Sequence, residues 1–195
     1  MKGPAYPGKS PNVVRQIITE FSGQSRYRML TFFNQIDRTK VSADRLWFVT
    51  LTYPREWPSS WAEWKRHLQN WKKRLERDWG RVPAVWKLEP QRRGAPHFHL
   101  ILIVPPEWTN DLRPVGRHFR RGRMVTSWKG GKLAAFRRWL ARSWYEVVGS
   151  GDARHARAGT NCEPMDAWEK AGSYCAKYVG KDCGFVDPAT GQPLP

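Results

Sequence analysis

The stretch "SSWAEWKRHLQNWKKRLERDWG", residues 59–80, restricts the fold more than any other part of the chain. Trp61, Trp64, Leu68, Trp71, Leu75 and Trp79 recur at steps of three and four, which puts them on one helix face. Lys and Arg fill the opposite face. Ser59 or Ser60 can cap the start and Gly80 can end it. A stripe this apolar belongs in a core rather than in a row of stacking platforms. With 12 Trp and 40% hydrophobic residues among 195, the chain can bury a real core and is not disordered as a whole.

The charge sets the partner class. Against 34 Lys+Arg stand 17 Asp+Glu, a net charge of +17, and such an excess repels itself unless a polyanion compensates it. Nucleic acid is the expected partner. Aromatic residues interleaved with Arg suit single strands, whose exposed bases can stack on them. Cys162, Cys175 and Cys183 form no CxxC pair and argue against a thiolate zinc cluster. Together with the lack of a signal peptide they point to a reducing, cytoplasmic setting. No apolar run approaches the ~20 residues that span a bilayer, so no membrane partner is expected. Gly3, Gly8, Lys9 and Ser10 fit the pattern of a phosphate-binding loop. Only two residues precede Gly3, and two prolines inside the loop remove amides that would cradle phosphate, so no nucleotide cofactor is expected.

Residues 1–11 read as a Pro- and Gly-rich tail, and residues 13–20 and 26–37 as helices. In the second, Met29, Leu30, Phe33 and Ile36 share a face. "LWFVTLTYP" reads as a strand stopped by Pro54, with Phe48, Thr50 and Thr52 pointing one way and Val49, Leu51 and Tyr53 the other. "VPAVWKLEP" and "HFHLILIV" are two further strands joined by "QRRGA", a hairpin-type turn with Gly94. Residues 105–131 form a long, basic connection in which "RHFRRGRMVTSW" predicts a short hairpin. "LAAFRRWLARSWYEVVG" is a second amphipathic helix, "ARHARAGTNCEPM" contains a strand, and a last helix starts near residues 164–167. The order predicts an α+β fold with a mainly antiparallel sheet flanked by helices.

Three constellations carry chemistry. In "PHFHLIL", alternate strand residues share a face, so His97 and His99 point the same way and can clamp a divalent metal. Glu89, on the preceding strand, is brought back beside them by the hairpin, with Gln91 on the same parity as a second choice. A mixed set of one carboxylate and two imidazoles with open positions suits Mg²⁺ or Mn²⁺ better than a closed structural zinc site. The competing reading of Glu89 is a salt bridge to Arg92 or Arg93. In "SYCAKYVGKDCG", Tyr174 and Tyr178 share a helix face, as do Lys177 and Lys181. A phenol is a weak nucleophile until a nearby cation favours the phenolate.

"FVTLTYP", "HFHLIL" and "YCAKYVGK", in that order, closely resemble the motifs of the HUH endonucleases, in particular the rolling-circle replication initiators of phages, plasmids and single-stranded DNA viruses. The resemblance spans roughly residues 45–185, and the paired tyrosines look most like the two-tyrosine phage type. It implies a split ferredoxin-like, or RRM-like, core with an antiparallel sheet of about five strands. It also implies domain boundaries: a tail and helical extension over residues 1–40, the endonuclease domain over 41–186, and a tail over 187–195. Carried over position by position, His97, His99 and Glu89 would be metal ligands. Tyr178 would be the first nucleophile, Tyr174 the second, and Lys181 and Lys177 their lysines. The expected partner is single-stranded or hairpin origin DNA, gripped by Arg92, Arg93, Arg117, Arg120, Arg121 and Arg123, in the host cell of a phage or plasmid. With no credible phosphate loop, a host helicase would have to be borrowed. A tyrosine transposase shares this motif order. Most relaxases place the tyrosine before the histidines. A non-catalytic RRM-like module would explain the charge, but not why His97, His99 and Glu89 should fall opposite one another.

Overall fold

The computed structural model describes residues 23–172, apart from residues 92 and 121. The elements follow in the order α1 (Gly23–Asn34), β1 (Leu46–Thr52), α2 (Trp61–Trp79), β2 (Ala84–Pro90), β3 (Pro96–Ile103), β4 (Arg113–Arg120), β5 (Arg123–Lys129), α3 (Leu133–Val148), α4 (Ala153–Ala158) and β6 (Thr160–Pro164). Residues 168–172 are again helical. The helix expected over residues 13–20 lies outside the described residues. None of the described helices is long and apolar enough to cross a membrane.

Four strands form one antiparallel sheet in the order β2-β3-β1-β6. Because β1 is antiparallel to both β3 and β6, and β3 to β2, the sheet is built from two interleaved crossovers, β1-α2-β2 and β3-α3-β6. This mixed α+β arrangement is consistent with a ferredoxin-like core. The basic connection does not join that sheet: β4 and β5 pair with each other as a separate two-stranded ribbon. The ribbon is longer than the short hairpin expected, and its turn uses Gly122 at φ 79°.

The period-two pattern of β1 decides which face is core. Val49, Leu51 and Tyr53 are buried together with Phe98, Leu100 and Leu102 of β3. Over them lie Trp64, Leu68, Trp71 and Leu75 of α2 and Leu133, Phe136, Trp139 and Trp144 of α3, while Trp61 and Trp79 pack at the margin. The Trp stripe is therefore core. Ser60 occupies the N-cap of α2 but makes no side-chain capping bond, and Gly80 at φ 86° ends the helix.

The opposite face of the sheet is divided along its length. One end is covered by a small apolar cluster of Phe33, Leu46, Ile101, Met165 and Ala171, with Phe32, Ile36, Phe48 and Trp168 against it. Of the face expected on α1, Phe33 is buried, whereas Leu30 is exposed, because the helix meets the sheet through Phe32 and Phe33. The other end of this face carries polar side chains from β1, β2 and β3.

Candidate active site

The polar end is assembled by strand register. Glu89 of β2 lies opposite His97 of β3, Lys87 opposite His99, and Thr50 and Thr52 of β1 lie opposite His99 and His97. Side chains of paired residues emerge on the same side of a sheet, so six polar groups share one small area. The hairpin that brings Glu89 to the histidines turns through Gly94 at φ 81°.

The threonines orient the imidazoles. Thr52 Oγ1 is 2.9 Å from His97 Nδ1, and Thr50 Oγ1 is 3.3 Å from His99 Nδ1. Both contacts engage Nδ1 and leave the two Nε2 atoms on the far side of each ring. Gln91 Nε2 also lies 3.3 Å from His97 Nδ1, which makes it a neighbour of the ring rather than a group beside Glu89. Phe48 stacks on the His99 ring with centroids 5.3 Å apart, and the two imidazoles stand edge to face at 4.3 Å. Burial, with the neighbouring His99 adding to it, lowers the His97 pKa to about 4 and keeps that ring neutral at pH 7.

Glu89 reaches across the histidine side and down its own strand. Its Oε2 is 3.3 Å from His99 Nε2, and its Oε1 is 3.6 Å from Lys87 Nζ. Lys87 is only 6% exposed, and a buried ammonium requires such a partner. The competing salt bridge from Arg93 to Glu89 does not form. Arg93 instead donates to the carbonyl oxygens of Tyr53, Pro54 and Arg55 and to Gln91 Oε1, and lies over the Trp57 ring. Its donors tie the β2–β3 turn to the end of β1.

Among the described residues, no three of His, Cys, Asp and Glu are grouped so as to hold a metal ion as they stand. The chemistry of the donor set nevertheless suits a divalent cation: a carboxylate touches one imidazole, and a second, neutral imidazole stands beside it.

Behind the site, Thr52 is fixed through its backbone. Its carbonyl oxygen accepts from Trp144 Nε1 at 2.9 Å and from His155 Nε2 at 2.8 Å. Ser150 Oγ holds the other nitrogen of His155 at 2.8 Å. To one side, Asp166 accepts from Thr126 of the ribbon at 2.7 Å, is ion-paired with Lys170, and has Arg117 Nη2 at 3.8 Å. Burial raises the Asp166 pKa, but the hydrogen bonds from Lys170 and Thr126 outweigh it, and the carboxyl is held below its ordinary value.

The family model for the ORF2-type replication-associated protein matches residues 46–183, more than two thirds of the chain. The chain belongs to that family. No curated protein and no solved structure gives a significant match. The matched span in this replication-associated protein starts at β1 and contains the whole four-stranded sheet, the polar cluster and the ribbon. Membership of a replication-associated family supports a role in replication initiation.

Of the residues singled out in the sequence, the fold brings Glu89, His97 and His99 together. It places Arg117, 69% exposed, on the ribbon, and Arg120 and Arg123 at paired positions at the ribbon's end. Tyr174, Lys177, Tyr178, Lys181, Arg92 and Arg121 lie outside the described residues. Sequence reasoning missed Lys87, whose signal was its parity with Glu89. It also missed Asp166 and His155, whose partners are distant in sequence and leave no local signal.

Proposed function

We propose that this chain is a metal-dependent HUH endonuclease of the two-tyrosine rolling-circle type. It nicks and rejoins single-stranded or hairpin origin DNA. The observation that carries the reading is the register of β2 and β3, which sets Glu89 and the His-hydrophobic-His pair on one face within the span matched by a replication-associated family. A further support is the way the chain approaches the tyrosine stretch: Trp168 and Ala171 pack on that same face of the sheet.

Glu89, His97 and His99 would hold Mg²⁺ or Mn²⁺, which supplies charge to polarise the scissile phosphate. The remaining steps belong to the chain. Lys181 favours the phenolate of Tyr178. The phenolate oxygen attacks phosphorus, a Tyr–O–P bond forms, and the P–O3′ bond breaks. The departing 3′ oxygen takes a proton. The bond energy is kept in the phosphotyrosine, so a 3′-OH can reverse the step without ATP. Tyr174, with Lys177, serves the second transfer. A host helicase supplies the unwinding.

The test is a denaturing gel of the full chain incubated with origin-like single-stranded DNA and Mn²⁺. A covalent adduct is expected, lost in Tyr178→Phe and on chelation, with Tyr174→Phe still nicking but failing at termination. No adduct with any oligonucleotide would leave a non-catalytic nucleic-acid-binding module as the reading.

A further inference from the structure

The large hydrophobic side chains exposed among the described residues are Tyr27, Leu30, Trp86, Val115, Phe119 and Met124, and the last three lie on the β4–β5 ribbon. Scattered exposed apolar residues need no explanation. Phe119 and Met124 are not scattered. They are direct cross-strand partners, 72% and 58% exposed, one pair short of the ribbon's end. They project as an apolar step from a ribbon otherwise rich in arginine: the run 113–123 holds Arg113, Arg117, Arg120, Arg121 and Arg123.

The ribbon's alternation aims that step. Residues 117 and 119 share one face of β4, and residues 124 and 126 share the same face of β5. At the base of this face, Thr126 and Arg117 reach Asp166, which also pairs with Lys170. Asp166 leads directly into residues 168–172, which pack on the histidine side of the main sheet. The exposed pair therefore lies on the ribbon face that runs back toward Glu89, His97 and His99.

We infer that the Phe119–Met124 step is a stacking platform for a nucleobase of single-stranded DNA, which holds the strand on the ribbon as it leads to the histidine face. The inference rests on the replication-initiator reading for its substrate and deepens it. The committed occupant follows from charge and shape. A polyanion is the partner that a chain of net charge +17 requires. An exposed ring among guanidinium groups fits a flat base, whereas a paired duplex offers no free base face there. Met124 extends the surface beneath the ring with a polarisable side chain.

The experiment measures binding of the full chain to a single-stranded oligonucleotide carrying 2-aminopurine, and to the same sequence as a duplex, across a salt series. Phe119→Ala is expected to weaken single-strand binding roughly 5- to 150-fold, the range of one base–aromatic stack. The salt slope should stay unchanged, since no phosphate contact is lost. Phe119→Trp should restore both affinity and 2-aminopurine quenching, and duplex binding should not change. Phe119 is exposed enough for all variants to fold, and circular dichroism checks this. Three results would overturn the inference: affinity within twofold of wild type in Phe119→Ala, an equal loss on duplex, or full rescue by Phe119→Leu, which marks a merely apolar contact. A wild-type chain that stacks DNA but forms no adduct sinks the nuclease reading and keeps this one. An adduct together with an indifferent Phe119→Ala does the reverse.

Discussion

Gly159→Ala tests how the polar site is braced from behind. The backbone of Gly159, at φ −72° and ψ −11°, is one that alanine adopts, so the obstacle is space alone. A Cβ there would stand 2.4 Å from His155 Cδ2, 2.6 Å from the His155 carbonyl oxygen and 2.7 Å from Nε2. Neither neighbour can yield freely. The ring is 5% exposed and bonded at both nitrogens, and the carbonyl accepts the Gly159 N–H at 2.8 Å. Gly159 in turn gives its carbonyl to the Thr52 N–H at 2.8 Å. Overpacking costs about 1–3 kcal/mol and the strained His155–Thr52 bond about 1 more, so the loss should be about 2–4 kcal/mol. At about 2–4 °C per kcal/mol for a chain of this size, the melting temperature should fall by about 4–16 °C. Urea titration and thermal melting read the loss. Introduced into His155→Ala, where the ring is gone, Gly159→Ala should cost at least about 1 kcal/mol less than in the wild type. A loss under about 0.5 kcal/mol in the wild type, or strict additivity in the double variant, would refute the bracing.

Other outcomes follow from the same geometry. Thr52→Val removes the hydroxyl 2.9 Å from His97 Nδ1, and Mn²⁺ affinity measured calorimetrically should drop roughly 10- to 100-fold while the urea midpoint moves little. Trp71→Ala empties a site of 0% exposure between the sheet and its helices and should cost about 3–5 kcal/mol; a smaller loss would mean that the core refills. Burial holds His67, His97 and His155 below the ordinary histidine pKa, so the unfolded chain takes up protons first. Stability should therefore be level above about pH 6.5 and fall as the pH drops below it; equal urea midpoints at pH 7.5 and pH 5 would contradict this.

The sheet and its Trp-lined cover were legible because they rest on periodicity. Trp64, Leu68, Trp71 and Leu75 could only be buried by one arrangement of a helix, and Val49, Leu51 and Tyr53 by one parity of a strand. The meeting of Glu89 with the histidines was legible for a related reason: a short hairpin fixes register, and register fixes which side chains are neighbours. Elements without a period were harder. The six residues of α4 are too few to display a helical repeat, and a strand alone was expected there. In β4, Pro114, Gly116 and the arginines mask strand propensity, so the length of the ribbon was not visible. Contacts such as Trp144 and His155 on the Thr52 carbonyl join residues about a hundred positions apart, and nothing local announces them.

The ribbon has a consequence for how such a chain can diversify. Since β4 and β5 pair only with each other, residues added or removed around Gly122 change the reach of the arm without moving β1, β2 or β3 by a single position. An origin of different shape could then be accommodated by altering the arm, while the groups on the sheet keep their spacing. Address and chemistry are held on separate pieces of backbone, joined at Asp166, and selection can act on one without retuning the other.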